Sequence, residues 1–371
     1  MQVVEVTDLK SWDCFKNDWL RLQEACSLSH PFMDWNWIRP WGDYLPSEQK
    51  RPLILIIKNQ DNDVVGIAPF QINQEGLYRC IEGFAQEFAD YIDWLYQPGW
   101  EVETGKAICE WLFGQRKRSD YIRIINILPD GLAYRTLIAS CPDTIRPHSI
   151  APHVEIKGAY DDFTKTLKSK FLSDTRRRKR KLAREIGGVE YFVVKHSKDI
   201  PQLLDYVKLW LGLRQREKRE TSYLDRVGMY EHLTTFYEEL YNLGMLHFSG
   251  FRINNSVVAL NIAFKYKNSI FSYTPVFDPA FKRYSIIRLL KFQHIRECYD
   301  NRLFVYDFCL GGEKYKFSFN PVVKQLYSFT LYGETIKGRL IKIYNNKFKQ
   351  HMKDNMLFER MKSFCKHYGI K

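Results

Sequence analysis

The chain has 371 residues, of which 45% are hydrophobic and 15% aromatic, and its formal net charge is +13. This length exceeds what one hydrophobic core usually serves, and the apolar content excludes large-scale disorder, so we expect two domains. The sequence shows neither a secretory leader nor a run of about 20 apolar residues, which predicts a cytoplasmic protein, either free or peripheral at the inner face of the membrane.

In the first half, apolar periodicity and turn residues predict two helices, three consecutive strands, and then alternating helices and strands. The polar cluster Asn59–Asp63 supplies the turn between the first two strands. The predicted elements are helices at 11–26 and 35–41, strands at 53–57, 64–72 and 77–83, a helix at 102–113, a strand at 121–127, a helix at 131–139 and a strand at 154–156.

The second half has similar elements, and the turn and cap residues between them are clearer. The pair Gly187–Gly188 ends an arginine-rich helix that Ser173 or Asp174 is expected to cap, and Asn254–Asn255 and Lys267–Asn268 predict tight turns between three antiparallel strands. The predicted elements are a helix at 163–171, the arginine-rich helix, a strand at 189–195, helices at 200–216 and 227–243, strands at 246–253, 257–266 and 270–277, a helix at 284–299, and strands at 303–308 and 325–332.

A strand, two helices, a three-strand meander, a helix, a strand and a last strand follow one another in the Gcn5-related N-acetyltransferase (GNAT) fold. The second half resembles this order closely and the first half more loosely. We therefore expect an α/β (α+β) protein of two tandem GNAT-like units, each a mixed, largely antiparallel sheet flanked by helices. The expected boundaries are 1–157 for the N-terminal unit and 158–371 for a catalytic unit with a basic C-terminal helix.

The positive charge is confined to two segments. Arg176–Arg184 carries seven basic residues and no acid, and Lys337–Lys371 has a balance of +8, so the rest of the chain is slightly acidic. Such segments favour a polyanionic partner, either tRNA or an anionic membrane surface, although a solvated helix face has the same composition.

Metal and redox sites are not expected. The eight cysteines are scattered singly, which predicts reduced and mostly buried thiols, and the nine histidines form no pair at metal-ligand spacing. Neither a nucleophile elbow nor a phosphate-cradling glycine loop is present, which argues against triad hydrolysis and ATP hydrolysis.

Chargeable groups are concentrated where the predicted strand at 303–308 ends. Gly311 and Gly312 allow a tight turn, and Glu313, Tyr315 and Lys316 follow within a few residues. One short loop therefore offers a base, a phenol and a cation, although Glu313 and Lys316 could equally form an ordinary surface ion pair.

The residues of this loop resemble the CelD-like branch of the GNAT superfamily, whose members carry a phrase close to Asp-Phe-Leu-Arg-Gly-Asp-Glu-x-Tyr-Lys near the carboxyl end. The positions that match in register are Asp307, Phe308, Gly311, Glu313, Tyr315 and Lys316. The segments 31–37, 90–93 and 176–188 extend the resemblance over much of the chain. It implies an acyltransferase of envelope polysaccharide or related pathways, similar to Fem-type peptidyltransferases.

The resemblance implies an acyl-CoA donor that acylates an amine or hydroxyl of an envelope sugar or related metabolite. In this family a glycine turn usually opens the helix after the meander, but residues 282–287 contain no glycine. Lys282, Arg283, Ser285 and Arg288 are the candidate donor-binding residues, with charge partly replacing backbone amides. The alternative is that they form a solvated helix start.

Acyl transfer needs a proton acceptor, oxyanion donors and a carrier site. Glu313 is the predicted base and Asp307 the alternative, although Asp307 could instead orient Lys316 or cap backbone amides. Tyr315 is the candidate proton donor to the leaving thiolate, and Lys316 stabilises the oxyanion or a carrier phosphate.

The acceptor is a small molecule or glycan. We expect its binding residues to be Asp90, Tyr91 and Asp93 between the units and Arg214 or Arg216 on the helix before the meander. Two alternatives stay open, namely transfer from an aminoacyl-tRNA and a non-catalytic GNAT-like binding module.

Overall fold

The computed structural model describes residues 1–45 and 50–345. The elements follow from the predicted patterns with small shifts of their ends. In chain order they are β1 Gln2–Val6, α1 Leu9–Asp13, α2 Lys16–Ala25, α3 Trp35–Tyr44, β2 Lys50–Lys58, β3 Val64–Glu75, β4 Tyr78–Gly83, β5 Leu95–Tyr96, α4 Glu101–Gly114, β6 Tyr121–Ile127, α5 Leu132–Ser140, β7 Ile145–Glu155, α6 Tyr160–Thr166, α7 Ser169–Glu185, β8 Glu190–Val193, α8 Ile200–Glu217, α9 Met229–Asn242, β9 Leu246–Ile253, β10 Ser256–Tyr266, β11 Ser269–Phe277, α10 Ile286–Asp300, β12 Val305–Asp307 and β13 Val322–Tyr332.

The predicted turns of the meander are confirmed. Asn254, Asn255, Lys267 and Asn268 all have positive φ angles, as two-residue hairpin loops of the primed types require. Strand β10 consequently pairs antiparallel with both β9 and β11.

Some predictions about helix ends are wrong. Segment 11–26 forms two helices rather than one, and the arginine-rich helix α7 begins at Ser169. Ser173 and Asp174 therefore lie within α7 and do not cap it, because the apolar residue Phe171 belongs to the first turn of this helix and not to the preceding one. The predicted strand at 154–156 is the end of the much longer β7.

The strands of both halves join in one mixed sheet. Within the described residues its order is β1-β2-β3-β4-β6-β13-β7-β12-β11-β10-β9-β8, and β5 pairs with β3. The last strand of the second half, β13, thus lies between β6 and β7 of the first half, antiparallel to each. Strand β7 in turn pairs with β12 of the second half. The predicted division of the chain near 157 is thus crossed by strand pairing in both directions.

Each half contains one parallel strand pair next to its meander. In the first half β4 pairs with β6, and in the second half β11 pairs with β12. The helix that connects each pair is α4 or α10, so the two halves share one order of elements, as expected for tandem GNAT-like units.

Aromatic side chains pack the halves against each other. The ring of Phe32 contacts those of Tyr91 and Phe264, and the rings of Trp37 and Phe236 connect α3 with α9. These contacts hold residues of the first half at fixed positions beside the second half.

The predicted basic tail at 337–371 lies mostly outside the described residues. Residues 336–345 are helical, and 346–371 are not described. Among the described residues, no helix is long and apolar enough to cross a membrane, and no group of His, Cys, Asp and Glu side chains could hold a metal ion.

Candidate active site

The loop at 307–316 begins where two parallel strands separate. Strands β11 and β12 pair from Ser269 and Val305 to Phe271 and Asp307. Beyond this point β11 continues to Phe277, whereas the chain after Asp307 turns away through Cys309 and Gly311, which have φ angles of 58° and 111°. Ligands commonly bind where neighbouring parallel strands separate at their carboxyl ends, because a crevice forms there.

Asp307 has a structural role in this loop. Its buried Oδ1 accepts a hydrogen bond of 2.7 Å from the hydroxyl of Tyr91 and another of 2.7 Å from the amide of Cys309. Burial raises the pKa of Asp307. Of the roles considered from the sequence, Asp307 therefore caps a backbone amide, while Tyr91 ties the loop to the first half.

Lys316 lies inside the loop and closes it. Its side chain is buried, and Nζ donates to the carbonyl oxygens of Cys309, Leu310 and Gly311 at 3.3, 2.8 and 3.1 Å. It also forms an ion pair with Glu313 Oε2 at 2.9 Å. Of the two structural roles open to Asp307, the structure shows the amide cap and not the orienting of Lys316, since these carbonyls and Glu313 hold the ammonium.

Glu313 is poorly suited as a base. Its side chain is 59% exposed. Desolvation raises its pKa, but the charge and the hydrogen bond of Lys316 together lower the pKa by more, so the pKa of Glu313 lies below its usual value. A carboxylate with a lowered pKa holds a proton weakly. Tyr315 beside it has a raised pKa, chiefly because of burial, and its ring packs edge-on against Phe308.

Asp90 from the first half is the better-matched proton acceptor. Its Oδ2 accepts a hydrogen bond of 3.3 Å from the amide of Leu310, directly over the loop. Burial raises its pKa to about 7, an effect that this amide and the charge of Lys316 only partly offset. A general base works best with a pKa near the operating pH. The sequence pattern predicts Asp90 as an acceptor-binding residue but does not predict this raised pKa, which depends on contacts between the halves.

Arg214 lies near Glu313 and Tyr315 of the loop, whereas Arg216 does not contact the loop. The exposed guanidinium of Arg214 donates to the carbonyl of Pro275 at 3.1 Å, and its charge lowers the pKa values of Glu313 and Tyr315. Arg216 donates to Gly212 within its own helix. Tyr223, which the sequence analysis missed, also faces Arg214 and Asp90, and burial raises its pKa to about 12.

Asp93 caps helix α5 from within the first half. Its carboxylate accepts hydrogen bonds from the amides of Trp94, Leu132 and Ala133 at 2.8, 3.1 and 2.8 Å, and burial raises its pKa to about 6. Its carboxylate is therefore committed to the helix start, whereas Asp90 and Tyr91 reach the loop at 307–316.

The start of α10 forms a second polar group. Ser285 precedes the helix with a φ angle of 53°, a left-handed conformation that a glycine would otherwise supply. Lys282 and Arg283 are exposed beside it, while Arg288 forms an ion pair of 2.7 Å with Asp174 of α7. The arginines at 177, 178 and 288 hold the pKa of Asp174 well below its usual range.

Comparison with known proteins gives the same fold. Among solved structures, FemX has a TM-score of 0.58 at 9% identity, over 89% of this chain and 98% of that chain. A conserved protein of unknown function from Bacteroides thetaiotaomicron has a TM-score of 0.55 at 10% identity, over 85% and 96%. L-PGS from Bacillus licheniformis has a TM-score of 0.50 at 14% identity, over 88% and 94%. At these identities the likeness is one of fold alone.

No curated protein matches the chain significantly. Residues 169–317 match the family model described as an acetyltransferase (GNAT) domain. This segment extends from the start of α7 through the loop at 307–316, and it contains both polar groups of the second half. Residues 169–317 are therefore similar in sequence to a GNAT-type acetyltransferase domain.

Proposed function

We propose that the protein is an acyltransferase that moves an acyl group from acyl-CoA to an amine, or a hydroxyl, of a cell-envelope sugar or related metabolite. One observation carries this proposal. Asp90 of the first half meets the Lys316-closed loop of the GNAT domain where β11 and β12 separate. The matching residues of this loop also lead us to place the chain in the CelD-like branch.

The start of α10 is the proposed site for the donor phosphates. The first-turn amides of a helix have no partner within the helix, and its N-terminus favours anions. Ser285 adopts the left-handed conformation without glycine, and the exposed Lys282 and Arg283 add positive charge. Arg288 has a different role, because Asp174 holds it against α7.

Asp90 and the loop residue Tyr315 fit the base and acid steps of acyl transfer. Asp90 accepts a proton from the acceptor ammonium, and the free amine attacks the thioester carbonyl carbon. As the new C–N bond forms, the C–S bond breaks, and the Tyr315 hydroxyl gives its proton to the thiolate. Tyr315 then recovers a proton from the nitrogen of the adduct. Its raised pKa keeps the phenol protonated at neutral pH and makes the phenolate a strong acceptor for the proton of the adduct nitrogen.

Thermal stability of the full chain with coenzyme A, acetyl-CoA and tRNA tests this function. A ligand specific to the folded state raises stability by about 2.7 kcal/mol at a hundred times its Kd. We expect stabilisation by acetyl-CoA that the double variant Lys282→Glu, Arg283→Glu reduces and that Lys106→Glu on α4 leaves unchanged. Absence of stabilisation by every coenzyme A compound would contradict an acyl-CoA donor, and absence with the whole panel would favour a non-catalytic module.

Transfer from an aminoacyl-tRNA is the second candidate. Helix α7 presents the exposed side chains of Arg176, Lys179 and Arg180, and it contacts the α10 start where Arg178 donates to the carbonyl of Arg283 at 2.6 Å. An RNA backbone bound there would lose affinity steeply with added salt, whereas coenzyme A would respond mildly. Stabilisation by tRNA alone, with that steep salt dependence, would replace acyl-CoA as donor.

A further inference from the structure

Polar side chains form a line between α10 and the sheet of the second half. Six of its seven members are at most 2% exposed, and the seventh, Glu297 at the outer end, has a side chain that is 19% exposed. From inside to outside, the members of this buried polar line are Lys291, Ser272, Tyr306, His294, Ser249, His247 and Glu297.

The inner part of the buried polar line begins at an amine. Lys291 Nζ donates to Ser272 Oγ and, at 2.8 Å, to Asn261 Oδ1. Ser272 lies near Tyr306 and lowers the pKa of its phenol against the larger, raising effect of burial. The Tyr306 hydroxyl lies 3.2 Å from His294 Nδ1. Four elements, α10, β10, β11 and β12, supply these groups.

The outer part leads to the surface. His294 Nε2 lies 2.8 Å from Ser249 Oγ, which lies 3.4 Å from His247 Nδ1. His247 Nε2 in turn lies 3.0 Å from Glu297 Oε1. Glu297 lines a surface cavity of about 450 Å³ together with Lys265 and Lys267.

Apolar residues would normally occupy these positions. Lys291, His294 and Glu297 recur at intervals of three along the face of α10 that packs on the sheet, and burying polar groups there costs free energy even when they are paired. The contacts of Lys291 are neutral oxygens, so burial, aided by the charge of Lys316, lowers its pKa to about 7. Its amine can therefore accept a proton near neutral pH.

The inner end lies near enough to the loop at 307–316 for the charges of that loop to act on it. The titratable groups whose charges act on Lys291 are Lys316, Cys309 and Glu313, all from the loop at 307–316. His294 faces His247 and Lys291, and Glu297 faces His247, Tyr191 and Lys265.

We propose that the buried polar line conducts protons between the loop at 307–316 and the surface at Glu297. Neutral Lys291 takes up a proton from the site, each following group receives one proton and passes on another, and Glu297 releases one to water. Only N–H and O–H bonds change. The proposal deepens the proposed function, because acylation of an ammonium group releases one proton per turnover.

Proton exchange at Lys291 tests this proposal without substrate. In the full chain labelled with ¹⁵N-lysine, the signal that disappears in Lys291→Met identifies Nζ. We expect Tyr306→Phe to slow the exchange of its protons with solvent at least about tenfold, which corresponds to about 1.4 kcal/mol in barrier height. Ser249→Ala, which removes only one hydroxyl, should do the same, whereas Tyr299→Phe, on α10 but outside the line, should not.

Unchanged exchange in both line variants would overturn the proposal and leave Lys291 a structural residue. Slower exchange with unchanged turnover would uphold conduction and remove its link to acyl transfer. Slower exchange in a protein that transfers no acyl group would uphold conduction while contradicting the proposed function.

Discussion

Asp90 and Glu313 are both carboxylates near Lys316, yet their surroundings shift their pKa values in opposite directions. Burial between the halves raises the pKa of Asp90 to about 7, whereas the direct ion pair with Lys316 lowers that of Glu313. From the sequence, Glu313 was the natural choice of base because it follows the strand and the glycines. The better-matched carboxylate comes from a distant part of the chain, and its burial has no local signal.

The raised pKa of Asp90 makes the stability of the fold depend on pH. A carboxyl group whose pKa is higher in the folded than in the unfolded state contributes stability below its unfolded pKa of about 4, and this is lost as pH rises through about 7. Asp90→Asn keeps an oxygen acceptor without the charge. We therefore expect its melting temperature, relative to wild type, to rise between pH 4 and pH 8.

Asp61→Asn, in an exposed hairpin turn, is the matched control for this melting series. A wild-type curve that runs parallel to that of Asp90→Asn at every pH would show that folding does not raise the pKa of Asp90.

Helices α7 and α10 are connected by Asp174, which pairs with Arg178 and Arg288 at 2.8 and 2.7 Å. These side chains are 20–29% exposed, so solvent screens them only in part. We expect Asp174→Ala to lower the free energy of unfolding by about 1–2 kcal/mol in urea denaturation, because it removes one charged hydrogen bond between the two helices and others within α7. It should also weaken acetyl-CoA binding, since the α10 start loses its support.

Asp162→Ala provides the comparison, because its ion pair with Lys165 is more than half exposed and should contribute less to stability than the pairs of Asp174. Equal losses of unfolding free energy in the two variants would contradict a stabilising ion pair between α7 and α10.

Turn residues and apolar runs explain why most elements were predictable, because both are signals from neighbouring residues. The asparagine-containing turns of the meander and the apolar runs beside them identify β9, β10 and β11 from neighbouring residues alone. The position of β13 between β6 and β7 was not predictable, because its pairing partners lie far away in sequence. The hydrogen bond between Tyr91 and Asp307 was not predictable either, because it joins residues 216 positions apart. The loop at 307–316 could therefore be predicted from the sequence, but its contact with the first half could not.

At the scale of the whole molecule, the two halves share an order of elements but differ in their clefts. In the first half, segment 84–94 follows β4 and packs against β6. Gln86 Oε1 accepts from the amide of Ile125 at 3.3 Å, and Asn126 donates to the carbonyl of Ala89 at 3.2 Å. The first half therefore fills the opening between its own parallel strands and contributes Asp90 to the other half.

This asymmetry predicts one donor site per chain. Isothermal titration calorimetry with acetyl-CoA should give a stoichiometry of one, and the double variant Lys282→Glu, Arg283→Glu should weaken that single event. Two equivalent binding events per chain would mean that the first half also holds a donor.

The most direct test of the account is the pH dependence of acyl transfer in wild type, Asp90→Asn and Glu313→Gln, once a donor and an acceptor amine are in hand. We predict that wild-type turnover rises with pH through about 7 and that Asp90→Asn loses this rise and about 10²–10⁴ in rate. Glu313→Gln should keep the rise. A variant lacking the Asp90 carboxylate that retains wild-type turnover and pH dependence would contradict the central claim that the first half supplies the base.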